Sequence, residues 1–267
     1  MKTAVTLCRV AEAAAGPFVF HDALPEGFSK AAKHGFDAVE LFLPSADAVT
    51  VDEIRQLQKQ YGLAIAAVGT GAGMVKHGLS LTDADPEVRA KALDFIFALV
   101  DFGGQLGAPA ILGSMQGRST PAVAHDIALG YLADALKAIS QRAAAHGVKF
   151  IYEPLNRYET NLFNRIGEAA AFLDQHGLEN VTLLADLFHM NIEETSLEQA
   201  LAENIHAIGH IHFADSNRRA MGFGHTESKA LLLLLHQLRY EGYLSAEILP
   251  LPSPEQAAAQ FILSTQI

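Results

Sequence analysis

Val148-Lys149-Phe150-Ile151-Tyr152 is a short apolar run that leads directly into Glu153, and this arrangement recurs further along the chain. Three later runs lead in turn into Asp186, His212 and Glu247. Short apolar runs bounded by turn residues are typical of buried strands in a parallel sheet. We therefore expect a carboxylate or an imidazole at the carboxyl end of each of four strands.

The rest of the chain alternates such runs with longer stretches rich in alanine and leucine, which is the pattern of βα repeats. The predicted strands are 3–8, 37–42, 63–69, 109–113, 148–153, 181–186, 207–214 and 243–249. The predicted helices are 26–35, 51–62, 86–107, 121–146, 166–177, 196–204, 226–240 and 254–265. This pattern favours an α/β fold, a (β/α)8 TIM barrel that forms a single domain over residues 1–267.

Capping residues support several of these boundaries. Asp85 and Pro86 form a helix start, with the aspartate as N-cap and the proline at the first helical position. Five glycines that follow helical stretches are expected to end them in a left-handed conformation: Gly35, Gly62, Gly147, Gly177 and Gly242. The glycine-rich segment 69–73 follows the third strand, and we expect an active-site loop there, with no helix starting directly after it.

Composition narrows the class of protein. The formal net charge of −11 argues against nucleic acid as the main partner, because an acidic surface repels phosphate backbones. Cys8 is the single cysteine, so no intramolecular disulfide can form, and this suits a reducing cytoplasm. Residues 1–9 read as a first strand rather than a signal peptide, and no apolar run reaches the ~20 residues of a membrane span. We expect a soluble, cytoplasmic enzyme.

In a parallel barrel all strand ends converge on one mouth, so residues distant in sequence can share one ion. Three carboxylates in one mouth are costly to bury unless a cation compensates them. Glu153, Asp186, His212 and Glu247 are hard, oxygen-rich ligands, which suit Mn, Mg or Co better than a thiolate-bound zinc. The sequence therefore predicts one divalent metal ion on these four residues.

Further polar side chains follow the same strands. His189 comes three residues after Asp186, and Glu159 lies on the loop after Glu153. Arg218 follows the seventh strand, where its planar donor fork suits a carboxylate or paired hydroxyls. Together with His225, which is a candidate loop contact, these residues are predicted to bind substrate.

These segments also carry a family resemblance. Segments 153–160, 186–194 and 212–218 resemble the sugar isomerase/epimerase family with the xylose-isomerase-like barrel. Within that family the chain is similar to the ketose 3-epimerases, above all to the branch that contains 5-keto-L-gluconate epimerase. Segments 78–82, 222–225 and 247–252 carry this closer similarity, and the likeness runs essentially from end to end.

The resemblance implies one divalent metal, often Mn, on the four predicted ligands, substrate contacts from Glu159, His189 and Arg218, and a homo-oligomer. The chain departs from the family at two points. Arg219 stands where near relatives often have tryptophan, and the chain has no tryptophan at all. Both departures leave room for an acidic sugar, which a second arginine could help to hold.

The predicted reaction is inversion of the carbon beside a ketone, through a cis-enediolate that the metal stabilises. Glu153 and Glu247 on opposite faces would act as acid and base, one removing the proton and the other returning one. We therefore predict a 3-epimerase of a ketose or keto-sugar acid, of the 5-keto-L-gluconate or D-tagaturonate type.

Four alternatives stay open at this point. An aldose–ketose isomerase, like a hydroxypyruvate isomerase, would use the same metal and enediolate. A decarboxylase of a keto-acid sugar would use the same electron sink. An endonuclease IV-like phosphodiesterase would need a larger, histidine-rich metal cluster. A non-catalytic, metal-stabilised barrel would leave Glu159, His189 and Arg218 without a purpose.

Overall fold

A computed structural model describes residues 1–266, and the last position of the predicted domain, residue 267, lies outside the described residues. The strands are β1 Lys2–Cys8, β2 Ala38–Phe42, β3 Ala64–Gly69, β4 Ala110–Leu112, β5 Phe150–Tyr152, β6 Val181–Asp186, β7 Ile208–His212 and β8 Tyr243–Ala246. The α-helices are α1 Leu24–His34, α2 Val51–Tyr61, α3 Ala72–His77, α4 Pro86–Gln105, α5 His125–Ala145, α6 Ile166–Gln175, α7 Leu187–Glu193, α8 Leu197–Asn204, α9 Ser228–Gln237 and α10 Pro254–Ser264. Two short 3-10 helices span Ala11–Ala13 and Ser114–Gln116.

The strands form a closed barrel in chain order, so the predicted (β/α)8 fold is confirmed. Every neighbouring pair is parallel, and β1 pairs with β8 to close the ring, with Val5 opposite Ala246. All strands therefore end at the same mouth, which positions the residues that follow them. Among the described residues, none of the helices combines the length and apolar character that a membrane crossing requires.

Buried side chains fill the barrel in two layers. The main core packs the outer helices on the strands, with large buried residues such as Phe28, Phe150 and Phe213. A separate cluster from four adjacent strands fills the interior: Ala67, Ile111, Ile151 and Leu184. This packed interior lies below the mouth, so the barrel is a support for the site and not a channel.

The structure also corrects several local expectations. Segment 69–73 runs directly into the short helix α3, and a second short helix, α7, starts right after Asp186. Helices of one or two turns contain too few residues to show a helical period in the sequence. Helix α5 begins at His125 rather than 121, because Thr120 and Val123 pair in a tight turn before it.

The predicted capping residues are mostly confirmed. The Asp85 side chain accepts from the backbone N–H of Glu87 at 2.8 Å, as an N-cap does. Four of the five glycines have a positive φ, but Gly242 does not. Arg239 takes the left-handed conformation at the end of α9 instead, with φ 55°, so the prediction for Gly242 was wrong.

Candidate metal centre and active site

Four of the side chains singled out in the sequence meet at the mouth of the barrel. Glu153 follows β5, Asp186 ends β6, His212 ends β7 and Glu247 follows β8. One potential ligand atom of each lies within 4.8 Å of those of the other three, and only Glu247 is more than slightly exposed. This cluster could hold one metal ion.

The His212 ring presents Nδ1 to the three carboxylates. Nδ1 lies 3.4 Å from Glu247 Oε2, 3.5 Å from Asp186 Oδ2 and 3.8 Å from Glu153 Oε1. The other ring nitrogen, Nε2, is 3.1 Å from Glu40 Oε1. When Nε2 carries the proton and donates it to Glu40, the lone pair of Nδ1 faces the centre of the cluster, which is the state a metal ligand needs.

Buried polar atoms without partners mark the same spot. Asp186 Oδ1 accepts from the backbone N–H of Phe188 at 2.8 Å and so caps α7. Asp186 Oδ2 and His212 Nδ1 are buried and make no hydrogen bond among the described residues. Each such atom costs about 1–3 kcal/mol of stability. A divalent cation would satisfy both, so the donor set fits the group that the sequence predicts.

The charges of the cluster lead to the same conclusion. Burial and the negative charge of Glu247 raise the pKa of Glu153 well above its usual range. Burial opposes the charged form of Glu247 too, but the positive charges of His212 and Arg218 more than offset it and lower the pKa of Glu247. For His212, Glu40 and Glu247 outweigh burial and raise the pKa of the imidazole. Without a metal, protons therefore supply the positive charge that the three carboxylates require.

Gly113, which follows β4, makes room for the Glu153 carboxylate. A Cβ atom at this position would lie 2.6 Å from Glu153 Oε2. On the same side, Gln116 donates from Nε2 to the Glu153 backbone carbonyl at 2.9 Å. The neighbouring loop thus fixes the backbone of Glu153 without covering its carboxylate.

His189 points into the site from α7. Its Nδ1 is 2.7 Å from the Asn156 side-chain nitrogen, which can only donate. The ring proton must then lie on Nε2, which is buried, makes no hydrogen bond within residues 1–266 and is 3.6 Å from Asp186 Oδ2. His189 therefore presents a free N–H donor beside the metal cluster, which suits a substrate oxygen.

Arg218 extends over the cluster from the loop after β7, with φ 60°. Its Nη2 donates to Glu247 Oε2 at 2.9 Å, and its guanidinium stacks over the Phe188 ring at 4.8 Å. The Asp215 carboxylate makes no ion pair with Arg218 among the described residues and instead accepts backbone N–H groups of its own loop, including those of Gly222 and Gly224 at 2.8 Å. The Asp215 backbone carbonyl accepts from the Arg218 N–H at 2.8 Å. The loop is thereby folded so that Arg218 faces the site.

A cavity of about 340 Å³ lies over the cluster, and Glu159, His189 and Arg218 line it together with the predicted ligands Glu153, His212 and Glu247. We call it the reaction cavity. Pro17 and Phe18, from the segment after β1, form part of its apolar wall, and Glu12 of the same segment adds a carboxylate; no sequence signal assigned these residues. The size is that of a small-ligand site.

Two residues with expected substrate roles, His225 and Arg219, lie outside the lining of the reaction cavity. His225 is exposed, hydrogen-bonded to the Ser216 hydroxyl at 2.9 Å, and does not line the reaction cavity. Arg219 is likewise exposed and outside the lining. Adjacent residues on an irregular loop point in different directions, so the position of Arg218 does not carry over to Arg219.

Glu40 on β2 is a functional candidate that the sequence reading missed. It is buried, and its two carboxylate oxygens contact His210 Nε2 at 2.8 Å and His212 Nε2 at 3.1 Å. The available signal was a carboxylate in the middle of the otherwise apolar run 38–42. His210 is thus part of a buried polar chain that ends on a predicted metal ligand.

Residues 28–265 match the family model described as xylose isomerase-like TIM barrel. This chain belongs to that family. The match covers most of the barrel, including all four residues of the metal cluster, and agrees with the closed eight-stranded topology. The family resemblance predicted from the sequence is confirmed.

Several relatives are named as epimerases. The chain is 31% identical to D-psicose 3-epimerase of Agrobacterium fabrum over 82% of its own length and 76% of that protein. It is 34% identical to 3-dehydro-D-guloside 4-epimerase of Escherichia coli, where the match spans 56% of this chain and 59% of the relative. A crystal structure of 3-keto-D-glucoside 4-epimerase from E. coli superposes with a TM-score of 0.81 at 25% identity, covering 98% of both chains. These names confirm the predicted enzyme class, a carbohydrate isomerase of the epimerase type.

Proposed function

We propose that this enzyme is a metal-dependent epimerase that inverts the carbon next to the ketone of a keto sugar. The observation that carries the proposal is the approach of Glu153 and Glu247 to one cavity from β5 and β8, three strands apart around the barrel. Two carboxylates that reach a planar intermediate from different sides can remove a proton on one face and return one on the other. An isomerase that moves a proton along one face needs only one of them.

Glu153, Asp186, His212 and Glu247 are the proposed metal ligands. When bound, a divalent cation stabilises negative charge that develops on the ketone oxygen and the neighbouring hydroxyl. His189 would donate its Nε2 proton to a sugar oxygen, and Arg218 would orient Glu247 through their 2.9 Å contact. Glu159 lies beside His189 and Arg218 and is the proposed acceptor for a substrate hydroxyl.

The relatives support this chemistry rather than one substrate. A ketose 3-epimerase and a 3-dehydro-sugar 4-epimerase both invert the carbon adjacent to a carbonyl, although the carbonyl position differs. The predicted substrate, a ketose or a keto-sugar acid of the 5-keto-L-gluconate or D-tagaturonate type, is therefore kept, but the charge of the cavity bears on the choice between the two. Arg218 is the only lysine or arginine among the described residues that line the reaction cavity, and Glu247 already pairs with it. This favours a neutral keto sugar over an acid.

The remaining expectations enter the proposal unchanged. Mn²⁺ is the proposed cation, with Mg²⁺ or Co²⁺ as substitutes, because all three suit oxygen and imidazole ligands. A single domain, a homo-oligomer in the cytoplasm, no nucleic-acid partner and a substrate contact from His225 also stay predictions.

The test is proton NMR in D2O on metal-stripped enzyme, with and without Mn²⁺ at a level too low to broaden the lines. The panel contains ketohexoses, 3-keto glucosides, 5-keto-gluconate and tagaturonate. Loss of one proton beside the ketone, together with signals of a second epimer, is the expected result. Aldehyde-derived signals would instead favour the isomerase, and no metal-dependent exchange in the whole panel would refute the proposed reaction.

A further inference from the structure

A second cavity, of about 510 Å³, lies directly beside the reaction cavity. Ser114 and Glu159 line both of them, so the two spaces adjoin at these side chains. We call this second space the outer cavity. A ligand that occupies the reaction cavity and carries a further group past Glu159 would enter the outer cavity directly.

The walls of the outer cavity offer hydrogen-bond donors and acceptors, together with charged groups of both signs. Thr120 brings a hydroxyl group and Asp83 a carboxylate, whereas the buried hydroxyls of Ser80 and Thr82 bond to each other and to the backbone below. The Arg118 guanidinium makes no ion pair or side-chain hydrogen bond within residues 1–266, so its donors are available to a ligand. A mixture of this kind suits a neutral, hydroxyl-rich group, whereas a polyanion would meet Asp83 and Glu159 on either side of the arginine.

The floor of the outer cavity is held rigidly. Gly117 has φ 79°, and a Cβ atom there would collide with the hydroxyls of Ser80 and Thr82. Thr82 Oγ1 accepts from the Arg118 backbone N–H at 2.9 Å, and Thr160 Oγ1 donates to the Gly117 carbonyl at 2.7 Å. Three segments of the chain are thereby joined around the cavity. A site that is already ordered loses little entropy when a ligand binds.

We propose that the outer cavity is a subsite for a second sugar ring, so that the natural substrate is a keto glycoside and not a free monosaccharide. The inference rests on the proposed function, because it places the keto ring in the reaction cavity. Glu159 lies where the two rings would join, and its side chain is 40% exposed, so it can contact hydroxyls of both. Each cavity has the volume of a small-ligand pocket, roughly 300–1,000 Å³.

The experiment compares two substrates that share the reacting ring, a 3-keto disaccharide and the methyl 3-keto glucoside. The rate constant kcat/KM for exchange in D2O is measured for each with the Mn²⁺-loaded enzyme. We expect the disaccharide to be favoured by about tenfold or more, since one or two hydrogen bonds in the outer cavity are worth that factor. Equal values for the two substrates would overturn the subsite while leaving the epimerase intact.

Two variants locate the preference. Arg118→Met removes the guanidinium but keeps the aliphatic stem, and Ala84→Trp places a bulky ring at the exposed edge of the outer cavity. Each should bring the ratio of the two kcat/KM values close to one, with the methyl glucoside unaffected. Arg55→Met, on α2 and outside both cavities, is the matched control and should retain the full ratio.

The outcomes separate the two proposals. A variant that slows both substrates equally acts on the reacting ring, and this result would refute the subsite. If neither substrate exchanges, the subsite fails as a substrate site, whereas the proposed function fails only if the whole panel of keto sugars also shows no exchange. Calorimetric titration with the unoxidised disaccharide then measures binding without turnover. Equal affinities of the wild type and Ala84→Trp for this disaccharide would count against any sugar site in the outer cavity.

Discussion

The barrel holds two buried clusters of carboxylates and imidazoles, which share His212 but differ in how their polar atoms are paired. The inner cluster consists of Glu40, His210 and His212; Glu40 contacts His210 at 2.8 Å and His212 at 3.1 Å, so both carboxylate oxygens have partners. The outer cluster is the set of four predicted metal ligands at the mouth, and its atoms Asp186 Oδ2 and His212 Nδ1 have no partners among the described residues. The carboxylate oxygens of the inner cluster are thus satisfied by protein groups alone, whereas the outer cluster requires a further positive group.

The difference shows that residue type alone does not identify a metal site. Both sets contain ligand-type side chains at short distances, and both satisfy the geometric requirement for holding an ion. What separates them is hydrogen bonding, since both clusters reach the reaction cavity: three of the four outer members line it, and so does Glu40 of the inner cluster. The inner cluster instead orients the ring of His212, as second-layer carboxylates do for metal-bound histidines.

The largest effect is expected from neutralising the outer carboxylates that face the substrate. Glu153→Gln and Glu247→Gln should each lower turnover by roughly 10²- to 10⁴-fold or more, because each removes an acid/base group and a metal ligand. Steady-state kinetics on the substrate identified by NMR measures this. Glu179→Gln, an exposed glutamate before β6, is the matched control. Near-normal turnover of either variant would remove that residue from the acid/base role.

Removing the metal should destabilise the fold, because the folded state then loses the free energy of metal binding. At a free metal concentration of 1,000 Kd, binding to the folded state alone contributes about 4 kcal/mol. For a chain of this size the melting temperature should rise by roughly 10 °C on adding Mn²⁺ to stripped protein. Differential scanning calorimetry checks it, with NaCl of equal ionic strength as the control. An unchanged melting temperature would argue that the outer cluster does not hold the ion.

Glu40→Gln tests the inner cluster. The amide cannot accept from both histidines through two oxygens, so His212 should lose its fixed tautomer and orientation. We expect metal affinity to fall by about 10- to 100-fold, the effect typical of second-layer substitutions. Competition with a fluorescent chelator measures the affinity, and circular dichroism checks that the variant is folded. Wild-type affinity in a folded variant would show that the inner cluster serves packing only.

The smallest effect concerns pH. In metal-free protein the pKa of His212 is raised above its unfolded value of about 6.5, so the folded state keeps a proton that the unfolded state releases. Its contribution is fully present below pH 6.5 and is lost as pH rises through the folded pKa. The free energy of unfolding should therefore fall by about 1.4 kcal/mol per pH unit above pH 6.5 from this group.

Urea titrations at several pH values measure that slope. Metal-loaded protein is the control and should not show it, because the cation takes the place of the proton. The same slope with and without metal would mean that the ion does not displace the proton of His212.

Sequence patterns predicted the fold and the four metal-type residues because both depend on local order. Apolar runs of strand length identify strands, and in a parallel barrel any residue just after a strand must reach the common mouth. Thus Glu153, Asp186, His212 and Glu247 could be grouped although they span almost a hundred positions. Short helices such as α3 and α7 escaped the pattern, since one or two turns give no clear period.

Side-chain direction and long-range pairing were decided by the tertiary structure. Arg218 and Arg219 are neighbours in the chain, yet one faces the reaction cavity and the other faces solvent, because the loop around Asp215 fixes their backbone. Glu40 and His210 lie 170 positions apart, and only closure of the barrel brings them into contact. Likewise, Ser114 and Glu159 separate two cavities only because the loops after β4 and β5 meet there. The order of strands and helices depends on local sequence patterns. The hydrogen-bond partners of the buried polar atoms depend on contacts that form only when the barrel closes.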